Sequence, residues 1–353
     1  MQFGRAAAPT DRYEAMVARG VLRALLLILL ACAGFAQAQS HPAQGRKADP
    51  RQDPPRTELQ WLQAIQAAAE RLNYSGTIIY QQGEEVRASR LVHVFDGHES
   101  RERLQPLDGQ LREFIRRADE VQCLMPESRQ VVIERRLAQD AFPAITSADP
   151  AEILQHYTVR LGGTERVAGV ECQVINIEPK DRMRYGYRLW VDRSSGLLLR
   201  AITLNDRNEV LEQMAFAEVQ TGAKVDRAQL KPSWSTDGWR VERTQQSAID
   251  LAQQGWHVTP PAGFHKLHEV ARSLWGSTAE RKVMQAVFTD GLASVSVFIE
   301  PSPTDSMADA AQSKGPTSVY ARRMANARVT VVGEVPMSTV KSVAKSIEFR
   351  PPR

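Results

Sequence analysis

Apolar and polar residues alternate along residues 181–201, where arginines are interleaved with two tyrosines and a tryptophan. At a period of two the segment has two faces. One face carries Met183, Tyr185, Tyr187, Leu189 and Val191, and the other carries Arg182, Arg184, Arg188, Trp190 and Asp192. A Ser-Ser-Gly turn at 194–196 and a leucine run follow. The pattern predicts a β-hairpin with one apolar side.

One amphipathic helix is predicted near the start of the folded chain. Thr57 and Gln60 have the spacing of a capping box, the reciprocal side-chain caps that begin a helix. After them, apolar residues recur at helical spacing, namely Trp61, Ile65, Ala68 and Leu72. This spacing indicates a helix over 58–72 with one apolar face.

Short alternating or β-branched runs then continue to about residue 220, separated by turn signals such as Asp96-Gly97 and Asp108-Gly109. Asp-Gly between alternating runs is a strong hairpin signal, and local turns make sequential strands antiparallel neighbours. Roughly ten such strands with one long helix exclude a doubly wound fold. We expect a mainly β, α+β fold in which a strongly curved sheet is covered on its concave face by the helix. One helix covers such a sheet incompletely, so part of the apolar face should line a cavity.

A second, smaller domain is predicted beyond a point where the residue composition changes. Residues 221–249 are polar and read as a linker between a large domain at 57–220 and a small α+β domain at 250–353. In the small domain, Asp290-Gly291 joins two strands. Residues 327–336 form another strand pattern, and a closing helix is expected from Met337 to Ile347.

The N-terminus has the features of an export signal. Residues 1–38 contain arginines, a leucine-rich core too short to span a bilayer and a small-residue cleavage site, so they predict a cleavable signal peptide. Residues 39–56 form a flexible lead-in. Met16 would make an ordinary start, which leaves the true start codon open between Met1 and Met16. Cys32 lies in a pattern that resembles a lipoprotein cleavage box, and lipid anchoring there is the less favoured alternative to release after ordinary cleavage.

Charge and motifs exclude several classes of function. The formal charge of the 353-residue chain is +4, which falls to about +2 without the signal peptide. This balance does not favour a nucleic-acid partner. The sequence contains no phosphate-binding loop, dinucleotide fingerprint, hydrolase nucleophile motif or zinc-protease motif, so we expect no enzyme, no cofactor and no metal site.

Two cysteines remain after removal of the signal peptide, Cys123 and Cys172. An oxidising compartment permits a disulfide between them. The alternative is two buried thiols that act as small hydrophobic residues. The sequence leaves both interpretations open.

Several long segments resemble the RseB/MucB family, periplasmic negative regulators of the sigma-E (AlgU-type) envelope-stress response. The segments are 72–80, 93–116, 166–192, 288–300 and 329–336. The resemblance extends from about Trp61 to Phe349. It implies a large domain similar to the lipoprotein carriers LolA and LolB, an unclosed β-barrel over a helix, followed by a smaller domain.

The resemblance also implies a function. Family members bind the periplasmic segment of an RseA/MucA-type anti-sigma factor, shield it from the site-1 protease, and are displaced by lipid or lipopolysaccharide. The fold alone is equally compatible with a periplasmic lipid or lipoprotein carrier, which would not need the second domain. The sequence does not specify the lipid, and it leaves open whether the chain forms a homo-oligomer.

The apolar faces of successive strands provide the candidates for a lipid groove. These are Ile78, Tyr80, Leu91, Phe114, Val132, Tyr185, Tyr187 and Leu189. Arg184 and Arg188 are candidates to meet a lipid head group or a partner at the rim. The alternative is that the apolar residues are only core beneath the 58–72 helix.

Overall fold

The computed structural model describes residues 56–118, 120–135, 145, 149–222, 225–273, 282–301 and 309–351. The predicted signal peptide, with Cys32, and the lead-in up to residue 55 lie outside this part of the chain. The described residues form a 12-stranded sheet, a seven-stranded sheet and a two-stranded sheet. No described helix is long and apolar enough to cross a membrane.

The large sheet is built from twelve strands. They are β1 (Tyr74–Gln82), β2 (Glu85–Phe95), β3 (Ser100–Pro106), β4 (Glu113–Arg117), β5 (Glu120–Met125), β6 (Gln130–Arg135), β7 (Tyr157–Val167), β8 (Val170–Pro179), β9 (Gly186–Asp192), β10 (Leu198–Leu204), β11 (Val210–Thr221) and β12 (Arg240–Arg243). Their order is β12-β6-β5-β4-β3-β2-β1-β11-β10-β9-β8-β7. Among the described residues β12 and β7 are not paired, so the sheet stays unclosed, as predicted.

Two α-helices of the described residues belong to this domain, α1 (Glu58–Arg71) and α2 (Pro150–His156). The predicted capping box of α1 is formed: the Gln60 backbone N–H donates to Thr57, and the Thr57 N–H donates to the Gln60 side chain. Gly196, in the β9–β10 turn, lets α1 approach closely. A Cβ atom there would lie 2.7 Å from the Ala64 carbonyl oxygen, and the residue has a φ of +79° that favours glycine.

The second domain contains the seven-stranded sheet. Its strands are β13 (Gln246–Ala248), β15 (His265–Ser273), β16 (Lys282–Thr289), β17 (Ser294–Pro301), β18 (Ala310–Lys314), β19 (Thr317–Met324) and β20 (Ala327–Gly333). The predicted hairpin through Asp290-Gly291 joins β16 to β17. The predicted closing helix, α3 (Met337–Ser346), packs on β19 and β20. A short pair, β14 (Trp256–His257) and β21 (Glu348–Phe349), completes the domain.

Residues 221–249, predicted to be a polar linker, are held against both domains. A 3₁₀ helix (Arg227–Leu230) lies over the sheet, where the Arg103 guanidinium donates to the Gln229 carbonyl at 2.8 Å. β12 then pairs in parallel with β6, and β13 pairs with β15 of the second sheet. Reorienting the two domains about residues 221–249 would therefore break more contacts than the polar composition of this segment indicates.

The two cysteines are free thiols. Cys123 lies on β5 and Cys172 on β8, and seven strands separate β5 from β8 in the sheet. Bridged cysteines need Cα atoms within about 7 Å, so the disulfide alternative is wrong. Burial raises the pKa of both thiols to about 11.

Candidate functional site

Strand register brings most of the predicted groove residues to one face of the large sheet. On one side of β1, cross-strand partners run from Leu91 through Leu104, Phe114 and Cys123 to Val132. On the other side they run from Tyr80 through Met214 and Ala201 to Leu189, with Ile78 and Tyr187 two residues along the same strands. We call this the inner face, because α1 packs on it.

Helix α1 covers only part of the inner face. Its Trp61, Leu62 and Ile65 join a buried cluster with Leu189 and Tyr187 on β9. Its Ala68 belongs to another cluster, which Ile78 and Leu91 join as partly buried members, and which includes Phe216. These predicted groove residues are therefore largely core beneath the helix, as the alternative interpretation held.

The described residues cover less of the inner face at β3–β6. Leu104, Phe114 and Cys123 are half-buried, and Val132 beside them is buried. None of the apolar clusters formed by the described residues includes these four side chains. We call them the open part of the inner face. Of the predicted groove residues, Phe114 and Val132 belong to it.

Two predicted residues lie elsewhere because β9 begins only at Gly186. Tyr185 is buried and hydrogen-bonds to Ser318 of the second domain. The prediction that Tyr185 lines the groove is therefore wrong, and a charge placed there would disturb domain packing. The period-two pattern continues through residues 181–185, which form a loop and not a strand.

Arg184 also differs from its prediction as a rim residue. It is 4% exposed and ion-pairs with Asp290 of the second domain and with Asp181. Its Nη2 donates to the Ala262 carbonyl at 2.9 Å. With its donors committed within the protein, Arg184 is not available to bind a lipid phosphate. Arg188 is exposed as predicted, and its Nε donates to the Asn176 side chain at 2.9 Å.

Asp290 is the centre of the contact between the domains. It is fully buried, and its Oδ1 accepts the backbone N–H groups of Leu292 and Ala293, as expected of a tight turn. Its Oδ2 accepts from Arg184 and, at 3.0 Å, from the Tyr157 hydroxyl, both in the first domain. The sequence signals the turn, but nothing in it signals these partners. Such a buried pair fixes a geometry because separating it leaves a charge uncompensated.

Further contacts join the domains around this centre. The Thr339 hydroxyl at the start of α3 donates to the Met183 carbonyl at 2.9 Å. Lys314 pairs with Glu85 at 2.9 Å, at the end of the β1–β2 hairpin. Leu292 completes the apolar cluster beneath α1. The two domains therefore share a polar and an apolar interface.

A second polar group, partly buried, contains carboxylates from both domains. Glu212 on β11 accepts from the Tyr80 hydroxyl at 2.5 Å and from the Thr203 hydroxyl at 3.0 Å. Burial raises its pKa. Glu334, which follows β20, lies close enough to Glu212 for their charges to repel. Burial and then this repulsion raise the pKa of Glu334 to about 7. Tyr80 is thus part of a polar contact at the inner face and not of an apolar wall.

Among the described residues, no three His, Cys, Asp or Glu side chains converge on a metal-sized position. His265 instead pairs with Glu152 at 2.9 Å, across the domain interface.

Two family models match the chain in order. Residues 57–234 match the MucB/RseB N-terminal domain, and residues 250–348 match the MucB/RseB C-terminal domain. Together they cover most of the described residues and both sheets apart from the edge strands β12 and β13, which lie between the two matches.

Curated relatives and a solved structure agree with these models. The sigma factor AlgU regulatory protein MucB of Pseudomonas aeruginosa is 30% identical over 292 residues, 81% of this chain and 89% of that protein. The sigma-E factor regulatory protein RseB of Escherichia coli K12 is 28% identical over 302 residues, 82% of this chain and 89% of that protein. A crystal structure of MucB in complex with MucA(peri) matches with a TM-score of 0.66 at 30% identity, over 82% of this chain and 98% of that chain. The chain belongs to the MucB/RseB family.

Proposed function

We propose that this protein is an exported periplasmic regulator that binds the periplasmic segment of a membrane-spanning anti-sigma factor and shields it from the site-1 protease. The observation that carries the proposal is the match of both domains, in order, to a family with a member solved in complex with MucA(peri). Export through the predicted signal peptide would bring the chain to the compartment where that segment is exposed.

The second domain favours a regulator over the alternative, a lipid or lipoprotein carrier. A carrier needs only a cavity on a single domain, whereas in this chain about a hundred further residues form a domain with a second sheet. The buried Arg184–Asp290 pair holds that sheet in a defined orientation to the first. A composite surface of two fixed domains suits the binding of an extended segment.

Release by lipid or lipopolysaccharide is the second part of the proposal. Acyl chains would enter at the open part of the inner face, beside Phe114, and each buried methylene would contribute roughly 0.8 kcal/mol. Six methylenes would supply roughly 5 kcal/mol. Lipid binding could therefore drive the domains apart at Arg184 and Asp290, provided that lipid and segment favour different orientations.

Partner capture separates the two functions. The exported chain is immobilised and incubated with a detergent extract of membranes from its own organism. Recovery of a single-span anti-sigma factor supports the regulator. Recovery of many lipoproteins without that factor would support the carrier and contradict the proposal.

A competition experiment tests release. A labelled periplasmic segment of the anti-sigma factor is bound, and lipid is titrated in. We expect Phe114→Glu to weaken release at least tenfold, because it places a charge where acyl chains would be buried. Val241→Glu is the matched control, since Val241 is an exposed apolar residue on β12 of the same sheet. Equal release from both variants would contradict the position of the lipid site.

A further inference from the structure

A cavity of about 370 Å³ lies on the outer face of the large sheet, opposite α1. Strand register places Val94, Arg101 and Arg117 in one row on this face, with Ile115 beside them. The 3₁₀ helix and the residues after it form the other wall, with Leu230 between Arg227 and Lys231. We call this the outer cavity. It shares no side chain with the open part of the inner face.

The floor and rim of the outer cavity differ in polarity. Val94 is buried in an apolar cluster against which Leu230 packs, so the floor of the outer cavity is apolar. Arginines and a lysine stand around it. A volume of this size is that of a small-molecule site and exceeds what a solvent ion alone needs.

The rim carries an excess of positive charge. Arg101 and Arg117 are direct cross-strand partners, an arrangement of like charges that is unfavourable unless an anion lies between them. Glu99 supplies one anion, because its Oε1 accepts from Arg101 at 3.0 Å and from Arg117 at 2.9 Å. Asp96 adds a second carboxylate 3.7 Å from Arg101.

Two cations on the opposite wall are not neutralised in this way. Arg227 and Lys231 are exposed, and neither has an ion-pair partner among the described residues. Arg116 and Glu102, which pair with each other at 3.3 Å, also line the cavity, so five cations meet three carboxylates around the apolar floor. The guanidinium fork and the ammonium group are the standard protein ligands of phosphate oxygens.

We propose that the outer cavity binds a phosphate monoester with a short apolar body, the phosphate held between Arg227, Lys231 and the Arg101–Arg117 row and the apolar part lying on Val94 and Leu230. Bound there, the ligand would fasten the 3₁₀ helix to the sheet. The same chemistry occurs in soluble organic phosphates and in phosphate-bearing lipid head groups.

Calorimetric titration of the full exported chain with hexyl phosphate tests the proposal. We expect saturable binding that strengthens from methyl to hexyl phosphate, by up to about fourfold for each methylene that becomes buried. Hexanol, which lacks the charge, should bind at least tenfold more weakly. Vesicles with and without phosphatidic acid distinguish the sources: hexyl phosphate binding alone indicates a soluble ester, and added binding to the anionic vesicles indicates a lipid head group.

Two double variants provide the comparison. Arg227→Gln with Lys231→Gln removes the two unpaired charges and should weaken binding of either probe at least tenfold. Arg207→Gln with Lys345→Gln removes the same charge from exposed positions elsewhere and should leave binding unchanged. The proposal is overturned if neither probe binds, if hexanol binds as well as hexyl phosphate, or if both double variants bind like the parent.

Discussion

Replacing Glu334 by glutamine should stabilise the protein at pH 8 and have little effect at pH 5. Glu334 belongs to the second domain, and the carboxylate that repels it, Glu212, belongs to the first. Burial and this repulsion raise the pKa of Glu334 to about 7 from an ordinary value of 4.5. The folded protein therefore keeps a proton on Glu334 that the unfolded chain has already lost at neutral pH.

The direction and size of the effect follow from linkage. Between pH 4.5 and about 7 the native state binds more protons at Glu334 than the unfolded state, so stability falls as the pH rises. Each unit of pKa difference corresponds to about 1.4 kcal/mol. The full penalty at pH 8 is therefore about 3–4 kcal/mol, and Glu334→Gln removes it. Below pH 4.5 both states are protonated and the penalty is absent.

Urea unfolding at pH 5 and pH 8 measures this difference. Glu334→Gln should raise the unfolding midpoint at pH 8 much more than at pH 5. Glu127→Gln, at an exposed turn, is the control for loss of one negative charge. If the stability gained by Glu334→Gln were the same at both pH values, the buried-charge reasoning would be wrong.

Three further predictions concern the domain contact, the first helix and the thiols. Asp290→Ala should cost about 3–5 kcal/mol in urea unfolding because it leaves Arg184 buried without its partner, and a cost below 1 kcal/mol would contradict this. Thr57→Ala should lower stability by about 1 kcal/mol through loss of the capping box, with Thr57→Ser near the parent as the control. In a chain without residues 1–38, Cys123 and Cys172 should both react with a disulfide reagent after denaturation without reductant. In the native state at pH 8 they should react slowly, because burial raises both pKa values to about 11; one or no reactive thiol after denaturation would contradict free cysteines.

Local signals predicted most of the elements. The Thr57–Gln60 capping box, the Asp-Gly turns and the strand alternation depend on residues near each other in the chain, and the structure has the predicted helix and antiparallel hairpins there. The inner face could be predicted from the same alternation. Cross-strand register places the side chains on one face of a strand beside those on the same face of its neighbour. Residues such as Phe114 and Val132 therefore share a face as predicted.

The structural features that the sequence did not predict depend on residues that are distant from each other in the chain. Arg184 and Asp290 are 106 residues apart, and each alone resembles an ordinary loop residue. The parallel pairing of β12 with β6 likewise needs a crossover of about a hundred residues that no local pattern encodes. A short polar strand such as Arg240–Arg243 is positioned by pairing with the edge strand beside it. Its own β-strand propensity does not predict it.

Cleavage of the anti-sigma factor is the most direct test of the proposed regulator. The full-length anti-sigma factor is placed in vesicles with the site-1 protease, and its cleavage rate is followed with and without the exported chain. We expect a stoichiometric amount of the chain to slow cleavage, added lipid to restore it, and Phe114→Glu to protect the substrate even when lipid is present. An unchanged cleavage rate with saturating chain and no lipid would contradict the account.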